Sequence, residues 1–368
     1  MTRPATTDDL CVLVADAQAT GTRLRLRGGG TKDTIGAPCD AQVVDMRGFA
    51  GVVDYDPPEL VLTVGAGTPL AEIEKLVADE GQMLAFDPFD HGAMLGNDGG
   101  ATIGGVIAAG VAGPARLSRG GARDHLLGFT AVSGRGEKFV AGAKVVKNVT
   151  GYDLPKLMTG SWGRLAALTE VTLKVLPAPR TRLTLVMRGL DPAGAVAAMA
   201  RAMGSAAEVT AAAHLPDWQG DAITALRLDG FAESVAARAA MLPEFEAIED
   251  GDALWLTVRD ASPLPREWPL WRLIVAPGRA PGVIAALPDA EWLFDWSGGL
   301  IWLAADADPV AIRAAAAVAG GHAMLVRASE AMRRTIPALH PQPSALAAIE
   351  GRVRRAFDPD GVFGTGRF

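Results

Sequence analysis

Glycine is concentrated at two places in this chain, 27-RGGGT and 96-GNDGGATIGGVIAAGVAGPARLSRGGARD, and that concentration constrains the fold more than any other feature. The second stretch is too apolar to be a linker, because Ile103, Val106 and Ile107 fall at helical spacing within it. A short helix with almost no side chains on one flank predicts that something flat lies against it. A ligand with two phosphates and a planar ring needs this combination of convergent backbone N–H donors and bare surface. Arg27-Gly28-Gly29-Gly30-Thr31 offers consecutive amides for a pyrophosphate, with the Thr31 hydroxyl and the Lys32 charge beside them. Thr102 through Gly105 and Ala108 through Gly110 offer the wall for the ring. Each segment also has a plainer reading, the first as a turn between strands and the second as close helix packing. No G-x-G-x-x-G opens a helix and no G-x-x-x-x-G-K-[ST] occurs, so neither a Rossmann nor a P-loop cradle is expected.

A chain of 368 residues exceeds one ordinary core and predicts two domains. Thr6 and Thr7 are capping candidates for a helix through Leu10, Leu13, Val14 and Ala17 that stops at Gly21. The run 51-GVVDYDPPELVLTVGAG reads as an antiparallel hairpin about its Pro-Pro turn, and the next helix takes Thr68 as cap, Pro69 in its first turn, Leu70, Ile73, Leu76 and Val77 as buried stripe and Gly81 as stop. Segments 126-LLGFTAVSG and 137-EKFVAG bracket a turn, and 168-LTEVTLKVLPAPR ends in prolines, placing a boundary near residue 180. Beyond it, 183-LTLVM, 223-ITALRL, 253-ALWLTV, 271-WRLIV and 300-LIWLAA read as strands between Ala-rich helices. The expectation is α+β: residues 1–180 as one domain, 181–340 as a smaller cap on a mostly antiparallel sheet, and 341–368 packing back on the first domain.

The formal charge of −7 and the lack of a dense basic tract argue against nucleic acid. Cys11 and Cys39 cannot assemble a zinc or iron–sulfur site. The N-terminus lacks a signal-peptide layout, and every apolar run is broken well short of about 18 residues, so a cytoplasmic protein without direct membrane insertion is expected.

In order along the chain, RGGGT, TVGAGTPLAEIEKLVADEGQMLAFDP, ATIGGVIAAGVAGPARLSRGGARDHLLGFTAV and VVKNVTGYDLPKLMTGSWGRLAALTEVTLKVLP, with FDPDGVFGTGRF at the end, resemble the PCMH-type FAD-binding fold of the vanillyl-alcohol oxidase superfamily. Within it the chain looks most like the FAD-binding subunits of bacterial glycolate oxidases. The resemblance implies a PCMH-type domain of two α/β subdomains and FAD as cofactor. It places Arg27, Gly28, Gly29, Gly30, Thr31 and Lys32 at the pyrophosphate, and Pro88, Thr102, Gly104, Gly105 and Ala109 nearer the flavin. Arg116, Ser118, Arg123 and Asp124 continue that wall, and Asn148, Thr150, Gly151, Tyr152, Asp153, Leu154, Leu168, Thr169 and Glu170 complete the adenosine and ribityl side. Covalent members often carry His near the glycine loop; Thr31 stands here, implying non-covalent FAD. His91 and His125 are remote candidates for a link and read first as surface or packing histidines. Trp162 and Arg164 in 160-GSWGRLAALTE depart from the residues familiar in catalytic relatives.

Oxidising a 2-hydroxy acid requires a base for the hydroxyl proton and a cation for the carboxylate. The cap offers only His214, His322 and His340, widely spaced, with His322 and Arg327 as weak candidates for base and clamp. Tryptophans 218, 255, 268, 271, 292, 296 and 302 read as core, or as an aromatic face for a partner. The resemblance therefore implies a subunit that is not active alone and that joins a homologous catalytic flavoprotein and an iron–sulfur subunit to convert glycolate to glyoxylate, reaching the inner membrane only through them. The alternative is a stand-alone FAD-dependent 2-hydroxy-acid dehydrogenase of the D-lactate type.

Overall fold

Helix Thr7–Thr20 begins where the sequence signals it, because Thr6 and Asp9 exchange side-chain and backbone hydrogen bonds in a capping box. In this computed structural model, which describes residues 1–97, 99–142 and 151–368, that helix buries Leu10 and Val14 in a small core. Leu24, Val44, Val132, Val362 and Phe363 share this core, so the C-terminal stretch is built into the first half. Strand Leu24–Arg27 pairs in parallel with Gln42–Asp45. Five antiparallel strands follow in the order Val52–Asp56, Val61–Gly65, Ala166–Lys174, Leu126–Ser133, Lys138–Gly142. Leu126–Ser133 is covered on both faces and lacks polar alternation, whereas the edge strand Lys138–Gly142 alternates exposed and half-buried residues. Helix Leu70–Asp79 buries Leu70, Ile73 and Val77 as its spacing predicts. Thr68 does not cap it: its hydroxyl donates to the Gly65 carbonyl, 2.7 Å, and accepts from the Gly51 amide, 3.0 Å.

The second half is an eight-stranded antiparallel sheet in the order Glu246–Ile248, Thr181–Arg188, Asp221–Gly230, Ala211–Trp218, Glu291–Asp295, Leu300–Ala304, Leu270–Ile274, His322–Arg327. The α+β expectation holds, with one reversal in detail. Segment 253-ALWLTV is not a strand but part of helix Gly251–Asp260, whose buried Leu254, Trp255 and Val258 follow the helical period that a β-branched, aromatic composition disguises. Strand Ala211–Trp218 was hidden by its three alanines. One face of the large sheet carries Trp271, Phe294 and Leu303 into its own core. The other carries Ala213, Ile223, Leu270 and Trp302 into a core shared with Leu62, Ile103 and Phe129 of the first half. Among the described residues no helix is long and apolar enough to cross a membrane.

Polar contacts lock the two halves around that shared core. Arg227 reaches Asp87 at 2.7 Å, Arg119 reaches Asp229 at 2.9 Å, and the Ser118 hydroxyl donates to the Thr210 carbonyl at 2.7 Å. The Arg227 and Asp229 side chains are almost wholly buried, so removing either partner strands a charge out of water. Arg227→Ala should lower the free energy of unfolding by about 3–5 kcal/mol in urea titration, whereas Lys75→Ala, which breaks the exposed Lys75–Asp79 pair, should leave the midpoint nearly unchanged.

Candidate functional site: a glycine-lined cleft

The loop that follows strand Leu24–Arg27 lies directly on the backbone of the second glycine segment. A Cβ on Gly29 would overlap the Gly100 carbonyl oxygen, one on Gly28 would overlap the Thr102 hydroxyl, and Gly30 has a φ of +84°. Asn97 fastens the two segments by donating from Nδ2 to the Thr31 carbonyl at 3.0 Å. Between this loop and helix Ile103–Ala109 runs a half-open cleft, lined by residues 27–33 on one side and by Thr102, Gly104, Gly105, Ala108 and Ala109 on the other. Ala66, Gly163, Ala166 and Leu168 extend the small-residue wall, and Trp162, Arg367 and Phe368 close one end.

Charge is gathered at the loop. Arg27 donates from Nε to Asp33 at 2.6 Å, and Arg367 donates from Nε to the Ile35 carbonyl at 2.7 Å and from Nη2 to the Lys32 carbonyl. Lys32 has no hydrogen-bond acceptor among the described residues. Burial pulls its ammonium down to about 8, with Asp90 partly opposing the shift. A cation without an acceptor, a glycine loop lining a cleft, and a wall of small residues suit an elongated dianionic ligand with a flat ring. FAD fits this arrangement: residues 27–32 would hold its pyrophosphate, and the wall from Ala66 to Ala109 would accept its chain and ring.

The structure gathers Arg27, Gly28, Gly29, Gly30, Thr31, Lys32, Thr102, Gly104, Gly105, Ala109 and Leu168 on the cleft. The other sequence candidates lie elsewhere. Pro88 lines a separate surface hollow beside Arg227 and Trp255. Ser118 is spent on the Thr210 carbonyl, Asp124 caps the Gly121 amide at 2.9 Å, and Asp153 caps helix Leu154–Met158. The Thr169 hydroxyl donates to the Thr130 carbonyl at 3.2 Å, Tyr152 is 92% exposed, and neither Arg123 nor Gly151 lines the cleft. Asn148 and Thr150 fall outside the described residues. His91 and His125 are not surface residues, as both are buried; His125 is held by the Arg119 carbonyl at 2.8 Å. Trp162, Arg367 and Phe368 were not predicted at the site. Their signal was present as a bulky aromatic between glycines in GSWGR, with φ +58°, and as the Arg-Phe pair after the last glycine.

The weak catalytic candidates are not brought to the cleft. Arg327 spends its guanidinium on the carbonyls of Met94, Pro265 and Trp268, bracing the two halves, and His322 sits exposed at the start of the last strand of the large sheet. The tryptophans do not form an outward face for a partner: Trp255, Trp271, Trp296 and Trp302 are buried, and Trp218, Trp268 and Trp292 pack against the cores.

The family description "FAD binding domain" matches residues 1–142. The chain is 35% identical over 350 residues to glycolate oxidase subunit GlcE of Escherichia coli (strain K12), covering 94% of this chain and 92% of that protein. The chain belongs to the GlcE family. Shorter matches are found to other proteins: 30% identity over 186 residues to glycolate oxidase subunit GlcD of Bacillus subtilis (strain 168), half of this chain and 38% of that one, and 32% over 167 residues to D-lactate dehydrogenase of Anaerostipes hadrus, 45% and 32% of the two chains. Alkyldihydroxyacetonephosphate synthase shares the fold with a TM-score of 0.69 at 15% identity, over 99% of this chain and 76% of that one. FAD is thus the cofactor of this GlcE-family chain.

Two outcomes follow for the cleft. Gly29→Val should reduce FAD content of the purified protein at least tenfold, read from flavin absorbance against protein, because the loop must lift off Gly100; full retention would remove the loop from the site. Lys32 is depressed in the folded protein, so between about 8 and its ordinary 10.5 the unfolded chain binds more protons and this group's contribution to stability rises with pH. A bound pyrophosphate favours the ammonium, so FAD affinity should fall as pH rises from 7 to 9.5 in equilibrium dialysis, and a flat profile would take Lys32 off the phosphates.

Proposed function

We propose that this chain is the FAD-binding subunit of a glycolate oxidase that converts glycolate to glyoxylate, acting with a homologous catalytic flavoprotein and an iron–sulfur subunit. The observation that carries this reading is the match to the GlcE subunit of Escherichia coli, which covers 94% of this chain, whereas the match to D-lactate dehydrogenase covers 45% of it. In this reading residues 1–180 hold FAD, residues 181–340 form the cap, and residues 341–368 return to the cleft through Arg367 and Phe368. Bound FAD supplies a two-electron acceptor for the C–H bond of the substrate.

The chain's own residues supply binding and enclosure. Residues 27–32 hold the phosphates, Ala66, Gly104, Gly105 and Ala109 leave room for the cofactor, and the Trp162–Phe368 pair, 4.7 Å between ring centres, shields one end from water. Thr31 offers no nucleophile of the kind that links flavin covalently, so FAD is held without a bond to protein. The protein acts in the cytoplasm and reaches a membrane only through its partners.

Acid precipitation should leave the yellow colour in the supernatant; colour in the pellet would contradict the non-covalent reading. Purified alone and mixed anaerobically with glycolate, the protein should keep its flavin bands near ~450 nm, whereas the co-expressed three-subunit complex should bleach and should run as one species on gel filtration. Rapid bleaching of the isolated chain would instead make it a self-sufficient dehydrogenase.

A further inference from the structure

The segment joining the two halves is pinned rather than loose, because Leu176–Pro177 pairs with Gln82–Met83 and the Ala178 amide donates to the Gly81 carbonyl at 2.8 Å. Beside it lies a hollow that shares no lining residue with the glycine-lined cleft. Its walls come from three sources: Arg119 of the first half, Pro177, Pro179 and Arg180 of the joining segment, and Gly230 with Phe231 where strand Asp221–Gly230 ends. Phe231 is 66% exposed and packs into none of the cores. The Arg180 guanidinium stands over that ring, 5.4 Å from its centre, and makes no hydrogen bond or ion pair among the described residues.

Positive charge is in excess around the hollow. Its one lining carboxylate, Asp229, is buried and already meets three guanidinium groups, Arg119 at 2.9 Å, Arg182 at 3.2 Å and Arg227 at 3.8 Å. Two more carboxylates serve the same arginines, Asp87 taking Arg227 at 2.7 Å and Asp252 taking Arg182 at 3.5 Å. Asp87, Asp229 and Asp252 thus stand against Arg119, Arg180, Arg182 and Arg227, and Arg180 is left over. Arg119 reaches Asp229 through Nη2 and keeps a buried Nε with no hydrogen-bond partner. A guanidinium without a carboxylate takes a carboxylate or phosphate through two parallel N–H donors, and a phenyl ring beside it takes a planar ring. The proline walls and the pinned backbone hold these groups in place, so little freedom is lost on binding.

We propose that this hollow binds a small anion that carries an aromatic ring, with Arg180 and Arg119 sharing the anionic group and Phe231 stacking on the ring. An aromatic carboxylate and a nucleoside monophosphate both have this chemistry. A ligand seated there touches the first half, the joining segment and the large sheet at once, so it also fastens the halves together. The site stands apart from the cofactor cleft and does not rest on the glycolate reading.

The test is calorimetric titration of the full chain, as purified, with benzoate, AMP and inorganic phosphate, alongside flavin absorbance for FAD content. The wild-type protein should bind one benzoate or one AMP per chain, and phosphate, which has no ring, at least tenfold more weakly. Binding of benzoate without AMP would make an aromatic carboxylate the ligand, and the reverse a phosphate ester; either supports the site. Phe231→Ala should weaken the bound ligand at least tenfold and Arg180→Gln several-fold, both with FAD content unchanged, since neither residue lines the cleft. Both side chains are exposed, so neither substitution disturbs a core. Phe231→Trp, which keeps a ring, should retain most of the affinity. Absence of binding by both benzoate and AMP, affinities untouched by Phe231→Ala and Arg180→Gln, or phosphate binding as tightly as AMP overturns the proposal. AMP that displaces flavin and binds Phe231→Ala as well as wild type would belong to the cofactor cleft and overturn it as well.

Discussion

Everything at the site depends on two backbones lying against each other. Residues 28–30 approach residues 100–102 so closely that a single Cβ at Gly28 or Gly29 has nowhere to go. This contact sets one wall of the cleft and places Lys32, which has no acceptor among the described residues, on its lining. Glycine is used here for proximity; its conformational freedom is needed mainly at Gly30, where φ is +84°. The cost is a loop with little stiffness of its own. Asn97, Asp33 and Arg367 restore order to it by tying its carbonyls and its one arginine to neighbouring segments.

The large sheet does more than cover the first half. One of its faces shares a core with the five-stranded sheet, and buried ion pairs such as Arg227–Asp87 fix the register between them. Such pairs add little net stability compared with apolar replacements, but a wrong docking of the halves would leave them unpaired, which penalises alternatives.

Much of the first half was legible in the sequence, because glycine clusters, the capping box at Thr6 and the Pro-Pro hairpin are local signals with local causes. The loop from Arg27 to Lys32 and the wall from Thr102 to Ala109 were readable for the same reason. What escaped reading was produced by tertiary contact. Ser118, Asp153 and Thr169 are polar residues in the right neighbourhood whose hydrogen bonds are consumed by the fold, and Arg367 and Phe368 arrive at the cleft from more than 330 positions away. In the second half, composition misled at 253-ALWLTV, where Trp255 and Val258 resemble strand residues yet sit on a helix, and gave no signal for the strand that opens with Ala211–Ala213. The tryptophans beyond residue 217 are buried in the two cores or pack against them.

The central claim is that the glycine-lined cleft recognises a dinucleotide through its phosphates. Competitive binding of FAD and riboflavin to the flavin-free protein tests it most directly, since both carry the same ring and only FAD carries the pyrophosphate. The account predicts one FAD per chain and riboflavin weaker by at least a hundredfold; equal affinities would mean that the ring alone is recognised and that the loop from Arg27 to Lys32 is no phosphate site.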